Sequence, residues 1–281
     1  MPDDAIATAT RPTSDSLPVW VTRFLAAEIP VLAETAALLE ELRSNEDGCD
    51  ANGLGELFSA DPLMTLKVLA HAATHRSSRV VTDAETVTAA LVMMGISPFF
   101  RTFGPQPTVE QWLHAQPQAL AGLQQVLRRA HRAAHFALGL AIHRMDHDAA
   151  VIHQAALLND FAEMLLWCHA PTLALEMLDR QRADSTLRSS VAQQAVLGFE
   201  LADLKRALMK AWRLPELLIS ITDHVHVEHP SVRNVTLAIR LARHTADGWD
   251  NAALPDDVRD IGALLNLSPE ATLTLLHELD R

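Results

Sequence analysis

Apolar residues recur three and four apart through nearly the whole chain, while sustained valine-, isoleucine- and threonine-rich alternation is scarce. The pattern predicts an all-α fold. Helix starts are marked at Asp61-Pro62, Ser97-Pro98 and Ser268-Pro269, where a capping side chain precedes a proline suited to the first turn. Thr82 and Glu85 have capping-box spacing, and Gly95 is placed to end the helix they begin. Helices are expected near 18–27, 31–43, 53–59, 62–74, 84–94 and 98–103, then a break at Gly104-Pro-Gln-Pro107. A second set follows near 108–115, 118–146, 149–167, 171–182, 186–196, 200–212, 215–226 and 231–247, and a hairpin of two helices at 256–265 and 269–279 closes the chain. The implied division is a disordered tail over 1–17, an N-terminal helical lobe over 18–106, a second lobe over 107–248 and a C-terminal hairpin over 249–281 packed on the second lobe.

Within the expected helix 149–167, the run Ala155-Ala-Leu-Leu-Asn-Asp-Phe-Ala-Glu-Met-Leu-Leu166 places Asn159 and Asp160 in an otherwise apolar stretch. A buried amide or carboxylate without partners costs about 1–3 kcal/mol, so the pair must serve a hydrogen-bonded network, a metal site or the remains of one. Position 159 separates these readings, because asparagine is a poor metal ligand and mainly makes hydrogen bonds. Further on, Trp212 is expected to fill a core gap at a turn between helices, with a new helix started by Pro215 and His224 at its far end.

With 281 residues and 49% hydrophobic content, the chain has ample material for a core. The first residues lack the basic start and apolar stretch of a signal peptide, and no window is apolar enough to span a membrane, so a cytoplasmic protein without a membrane partner is expected. Cys49 and Cys168 are expected to be free thiols. A formal charge of −12 argues against nucleic acid as a partner, and the short basic stretch Arg128, Arg129, Arg132 is expected to be a solvated helix face.

Gly48-Cys-Asp-Ala-Asn-Gly53 resembles part of a calcium loop, but Gly48 and Ser59 stand where the first and twelfth ligands belong, so a capping turn is expected instead. The pairs His131/His135 and His143/His147 have one-turn spacing without the glutamate of a zinc-protease motif. No nucleophile elbow, phosphate-cradling glycine loop or dinucleotide fingerprint is present, so no cofactor is expected. The histidines carry chemistry only if His131, Asp160 and His224 converge from separate helices.

Several segments, taken in order, resemble the HDOD domain, an all-helical relative of the HD phosphohydrolases of bacterial signalling. They are Ile29-Pro-Val-Leu-Ala33, the "SADPLMTLKVLAHAA" segment at 59–73, "AETVTAALVMMGISPFFRTF" at 84–103, "AHRAAHFALGLA" at 130–141, "AALLNDFAEMLL" at 155–166 and "LGFELADLKRALMKAWRLPELLISITDH" at 197–224. The resemblance implies a two-lobed helical HD-like bundle. It also implies a degenerate metal site: His131 stands for the first histidine and Asp160 for the aspartate of the His-Asp pair, but Asn159 replaces the pair's histidine and Ile239 the later aspartate. His224 matches a histidine of the extended pattern, next to Val225.

The expected function is therefore a non-enzymatic signalling module without catalytic or metal-binding residues, acting on a signalling protein partner or as a homodimer. Two rivals stand beside it. One is a phosphohydrolase or phosphodiesterase using His131, Asp160, His224 and His226 in an altered site; the other is a nucleotide or metabolite sensor using the vestigial pocket.

Overall fold

The computed structural model describes residues 16–75, 84–184, 186–223, 226 and 228–280. Among them the chain is all-α, with no strand beyond one isolated bridge between Val31 and Thr108. In chain order the helices are α1 (Leu17–Ala26), α2 (Ala33–Arg43), α3 (Ala51–Phe58), α4 (Pro62–Thr74), α5 (Val87–Met94), α6 (Ile96–Thr102), α7 (Val109–Trp112), α8 (Pro117–His143), α9 (Ala149–Leu157), α10 (Phe161–His169), α11 (Pro171–Ala183), α12 (Ser189–Leu197), α13 (Leu201–Trp212), α14 (Glu216–Asp223), α15 (Pro230–His244), α16 (Leu254–Leu265) and α17 (Pro269–Leu279).

Side-chain caps start α3, α4, α5, α7, α15 and α17. Asp61 accepts hydrogen bonds from Leu63 N at 2.8 Å and Met64 N at 3.2 Å, with Pro62 in the first turn. Its other oxygen accepts from Leu32 N at 2.8 Å, so one buried carboxylate starts α4 and fastens it to the start of α2. Asp50 caps α3 by accepting from Asn52 N and Gly53 N, as the capping-turn reading of 48–53 expects. Thr82 lies outside the described residues; the cap actually seen is Thr86, which accepts from Ala89 N at 3.1 Å and starts α5 two to three residues later than the sequence suggests. Gly95, with φ +86°, ends α5 and at once begins α6, so Ser97 falls inside the first turn and donates to Glu46 Oε1 at 3.0 Å instead of capping.

Two hydrophobic cores form. The smaller gathers Leu39, Leu54, Phe58, Val87, Leu91, Phe99 and Phe100 from helices between α2 and α6, with Val31 just before α2 and Phe103 just after α6. The larger surrounds α8, whose 27 residues make a mast about 40 Å long against which α9, α10, α11, α15 and α17 pack. α4 serves both: Met64 and Val68 face the small core, while Leu63, Leu66 and Leu69 face the large one. α1 precedes the first-lobe helices in sequence, yet packs on α13 and sends Trp20 and Phe24 into the large core. A boundary placed by chain order at the Gly104–Pro107 break therefore does not coincide with the boundary between the cores.

The C-terminal hairpin is fastened to α8. Arg132 donates from Nε and Nη2 to the two oxygens of Asp280, each at 2.6 Å, and Trp249 Nε1 donates to Asp280 Oδ2 at 2.8 Å. Gly139 leaves room for Leu279, which an added Cβ would meet at 2.4 Å.

Helices α3 and α5 approach just as closely. A Cβ on Gly55 would lie 2.0 Å from Thr88 Oγ1 and 2.9 Å from Thr88 Cα, so backbone as well as side chain would have to move. Gly55→Ala is expected to lower unfolding free energy by about 1–3 kcal/mol in a denaturant titration. A loss below about 0.5 kcal/mol would mean that the two helices separate freely.

Candidate functional site

Asn159 and Asp160 do not lie within a continuous helix. The run expected as one helix over 149–167 breaks into α9 and α10, with a turn at Leu158–Asp160 in which Asn159 N donates to Ala156 O and Phe161 N to Leu158 O. The turn lifts both polar side chains out of the core while Leu157, Leu158 and Phe161 remain buried around them. This is how an apolar run accommodates two polar residues without burying them unpaired.

Both side chains enter one network built from separate elements. Arg129 of α8 donates through Nε to Asp160 Oδ2 at 2.8 Å and through Nη2 to Glu163 Oε2 at 2.7 Å. Asn159 Nδ2 donates to the other Asp160 oxygen at 2.8 Å, and Asn159 Oδ1 accepts from Lys205 Nζ at 3.0 Å. Asparagine suits this position because its amide donates to the carboxylate and accepts from the ammonium at once.

Burial alone would raise the Asp160 pKa, but the charge and hydrogen bond of Arg129, aided by Lys205 and Arg243, hold it below the usual carboxylate range. Glu163 shifts the other way: burial, with the adjacent Asp160 charge, outweighs Arg129 and raises it. Burial lowers the Lys205 pKa, opposed by Asp160.

The remaining expected site residues are not gathered here. His131 follows Arg129 by two residues on α8, a turn of about 160° measured the short way round, and its ring is exposed. It faces the α9 side, where His153 is held below its ordinary pKa by burial and by the nearby His131 and His135. The sequence leaves open whether His131 converges with Asp160; the residue of α8 that donates to Asp160 is Arg129. Ile239 packs its half-buried side chain against the large core, and Arg243, one turn later on α15, reaches toward Asp160. His224 lies outside the described residues, and His226 is exposed. His135, His143 and His147 are exposed as well.

The basic stretch also requires correction, since only Arg128 is the solvated residue expected; Arg129 and Arg132 are drawn into ion pairs by Asp160, Glu163 and Asp280. Sequence reasoning missed Arg129, Glu163, Lys205 and Arg243. For Arg129 a faint signal exists: it stands three residues after Val126 and four before Ala133, on the flank of the buried stripe of α8. For Lys205 and Arg243 no local signal exists, because their role depends on where α13 and α15 pack.

Beside the network opens a cavity of about 430 Å³. Arg129, Asn159, Asp160 and Lys205 line its polar side, and Trp167, Met177 and Leu178 its apolar side. The Trp167 ring reaches this place because Gly122 on α8 has no side chain: a Cβ there would meet the ring at 2.4 Å.

The HD phosphohydrolases imply a divalent metal held near the aspartate, and these residues do not fit one. Asp160 offers neither oxygen free, its neighbours are a guanidinium and an ammonium that repel a metal cation, and Asn159 is a weak donor. Among the described residues no group of three or more histidine, cysteine, aspartate or glutamate side chains is arranged to hold a metal ion. Nor is any described helix long and apolar enough to cross a membrane.

In its course the chain is similar to the MmoQ response regulator from Methylococcus capsulatus, with a TM-score of 0.67 at 20% identity over 90% of this chain and 99% of that one. It is also similar to a virulence factor from Campylobacter jejuni, with a TM-score of 0.61 at 16% identity over 93% of this chain and 97% of the other. At such identities the likeness establishes the fold alone. No curated protein matches the chain. The HDOD domain family matches residues 29–228, which take in α2 to α14 together with the Asn159–Asp160 turn, Arg129 and Lys205, and the chain belongs to that family.

Proposed function

We propose that this protein is a non-enzymatic signal-transduction module that acts by binding another protein. The observation that carries this reading is the state of Asp160. Its carboxylate is taken up by Arg129 and Asn159, with Lys205 on the far side of the amide, so charges supplied by the chain stand where a hydrolase would need a metal and an activated water. The network braces α8 against the α9–α10 turn and α13, which is a structural duty that needs no turnover. The similarity to a protein described as a response regulator supports a place in signalling.

Exposed apolar side chains supply the kind of surface a protein partner would cover. Leu57 on α3 and Val92 and Met93 on α5 stand out from neighbouring helices of the smaller-core region, with Val92 68% exposed. The partner is expected to be a signalling protein, with a second copy of the chain as the other candidate.

The test is elemental analysis of protein purified without chelator from manganese- and iron-supplemented medium, together with assays on nucleoside phosphates and cyclic dinucleotides. The expected result is metal far below one ion per chain and no turnover. About one bound ion per chain, with hydrolysis that disappears in Asp160→Ala, would overturn the reading and establish the phosphohydrolase alternative.

A further inference from the structure

We propose that the cavity beside the Asp160 network binds a small molecule bearing a phosphate group, seated between Lys205 and Arg243. Three observations lead there.

Lys205 has three N–H donors, and the only hydrogen bond it makes among the described residues is to Asn159 Oδ1. Arg243 lines the same cavity from α15, and among the described residues its guanidinium has no hydrogen-bond or ion-pair partner. Two cations lining one cavity repel each other; Asp160 offsets that repulsion at Lys205, but its oxygens accept from Arg129 and Asn159, and Glu163, also in the lining, accepts from Arg129. An anion entering between them would receive charged donors from both and relieve that repulsion. Glu200, also on the wall, is exposed to solvent.

The rest of the lining suits the same ligand. Ser189 and Ser190 bring hydroxyls to the cavity, able to donate to further phosphate oxygens. Trp167 and Met177 add apolar surface to the same lining, suited to a ring. At about 430 Å³ the cavity falls within the size range of small-ligand sites, large enough for a phosphomonoester such as a nucleoside monophosphate as well as for free phosphate.

The inference goes beyond the protein-binding reading but rests on it in one respect, that the ligand is held and not hydrolysed. The experiment therefore measures binding and turnover separately. The full chain is titrated calorimetrically with inorganic phosphate and with AMP at fixed ionic strength set by sodium chloride, and the recovered AMP is checked for adenosine.

Saturable binding is expected, weakened about tenfold or more by either Lys205→Gln or Arg243→Gln. Tighter binding of AMP than of phosphate would assign a ring-bearing phosphomonoester, whereas equal affinities would assign free phosphate as the ligand. Arg243→Gln removes an exposed side chain that makes no bond among the described residues, so it remains informative even if Lys205→Gln fails to fold. No saturable heat from either compound up to about 10 mM would overturn the proposal, as would variants that bind within about twofold of the parent. Adenosine in the recovered sample would overturn the non-enzymatic reading while leaving the phosphate site standing.

Discussion

Asp61→Ala is expected to lower the unfolding free energy by about 3–5 kcal/mol, measured by denaturant titration. The carboxylate accepts from Leu32 N, Leu63 N and Met64 N in a setting where Asp61 is 1% exposed, so its removal strands three donors that water cannot easily reach. Each stranded donor costs about 1–3 kcal/mol before relaxation, and the lost cap of α4 is part of the same sum. The damage also spreads, because the residue joins α2 to a helix whose two faces serve both cores.

Asp61→Asn separates hydrogen bonding from charge. Burial raises the Asp61 pKa despite its hydrogen bonds, so the ionised form is held at a cost that asparagine avoids while still offering an acceptor oxygen. Asparagine should therefore recover most of the loss. If alanine cost less than about 1 kcal/mol, the carboxylate would not be the fastening that its geometry indicates.

Asp160→Ala is expected to cost about 2–4 kcal/mol near neutral pH, because it removes the carboxylate that accepts from Arg129 and Asn159 and offsets the charge of Lys205. The figure sits below that for a fully buried pair, since the Asp160 and Arg129 side chains remain 15% and 26% exposed. The pH dependence follows from the direction of the shift. A carboxyl held below its ordinary range contributes stability that is complete above the unfolded-state value near pH 4, and loses it as pH falls through the lower folded-state value. The gap between wild type and variant should close as pH falls below about pH 4, where Asp160 takes up its proton. A gap that stayed fully open through that range would contradict the assignment of Asp160 as the ionised centre. Glu163→Gln should cost far less, as burial already disfavours the Glu163 charge.

The two expectations differ in how visible their causes are in one dimension. Asp61-Pro62 is a local signal whose cap can be read directly, although nothing near it announces the bond to Leu32, 29 residues earlier. Asn159 and Asp160 are conspicuous as polar residues in an apolar run, and the need for a network follows from the cost of burying them. The members of that network are not legible, because Arg129, Lys205 and Arg243 lie 31 residues before and 45 and 83 residues after Asp160 and read as ordinary surface cations.

Helical periodicity and capping chemistry are properties of neighbours in sequence, so the chain by itself determined the all-α class, the capping turn at Asp50, the free thiols and the core role of Trp212, which is 7% exposed beside Phe161. Only the tertiary structure decided that the expected helix 149–167 turns at Leu158–Asp160, that α1 belongs with the large core, and that Arg129 rather than His131 meets Asp160. The physical reason is the same in each case: which flank of a helix meets a neighbour is set by the packing of the whole bundle, and two residues along a helix are enough to exchange an imidazole for a guanidinium.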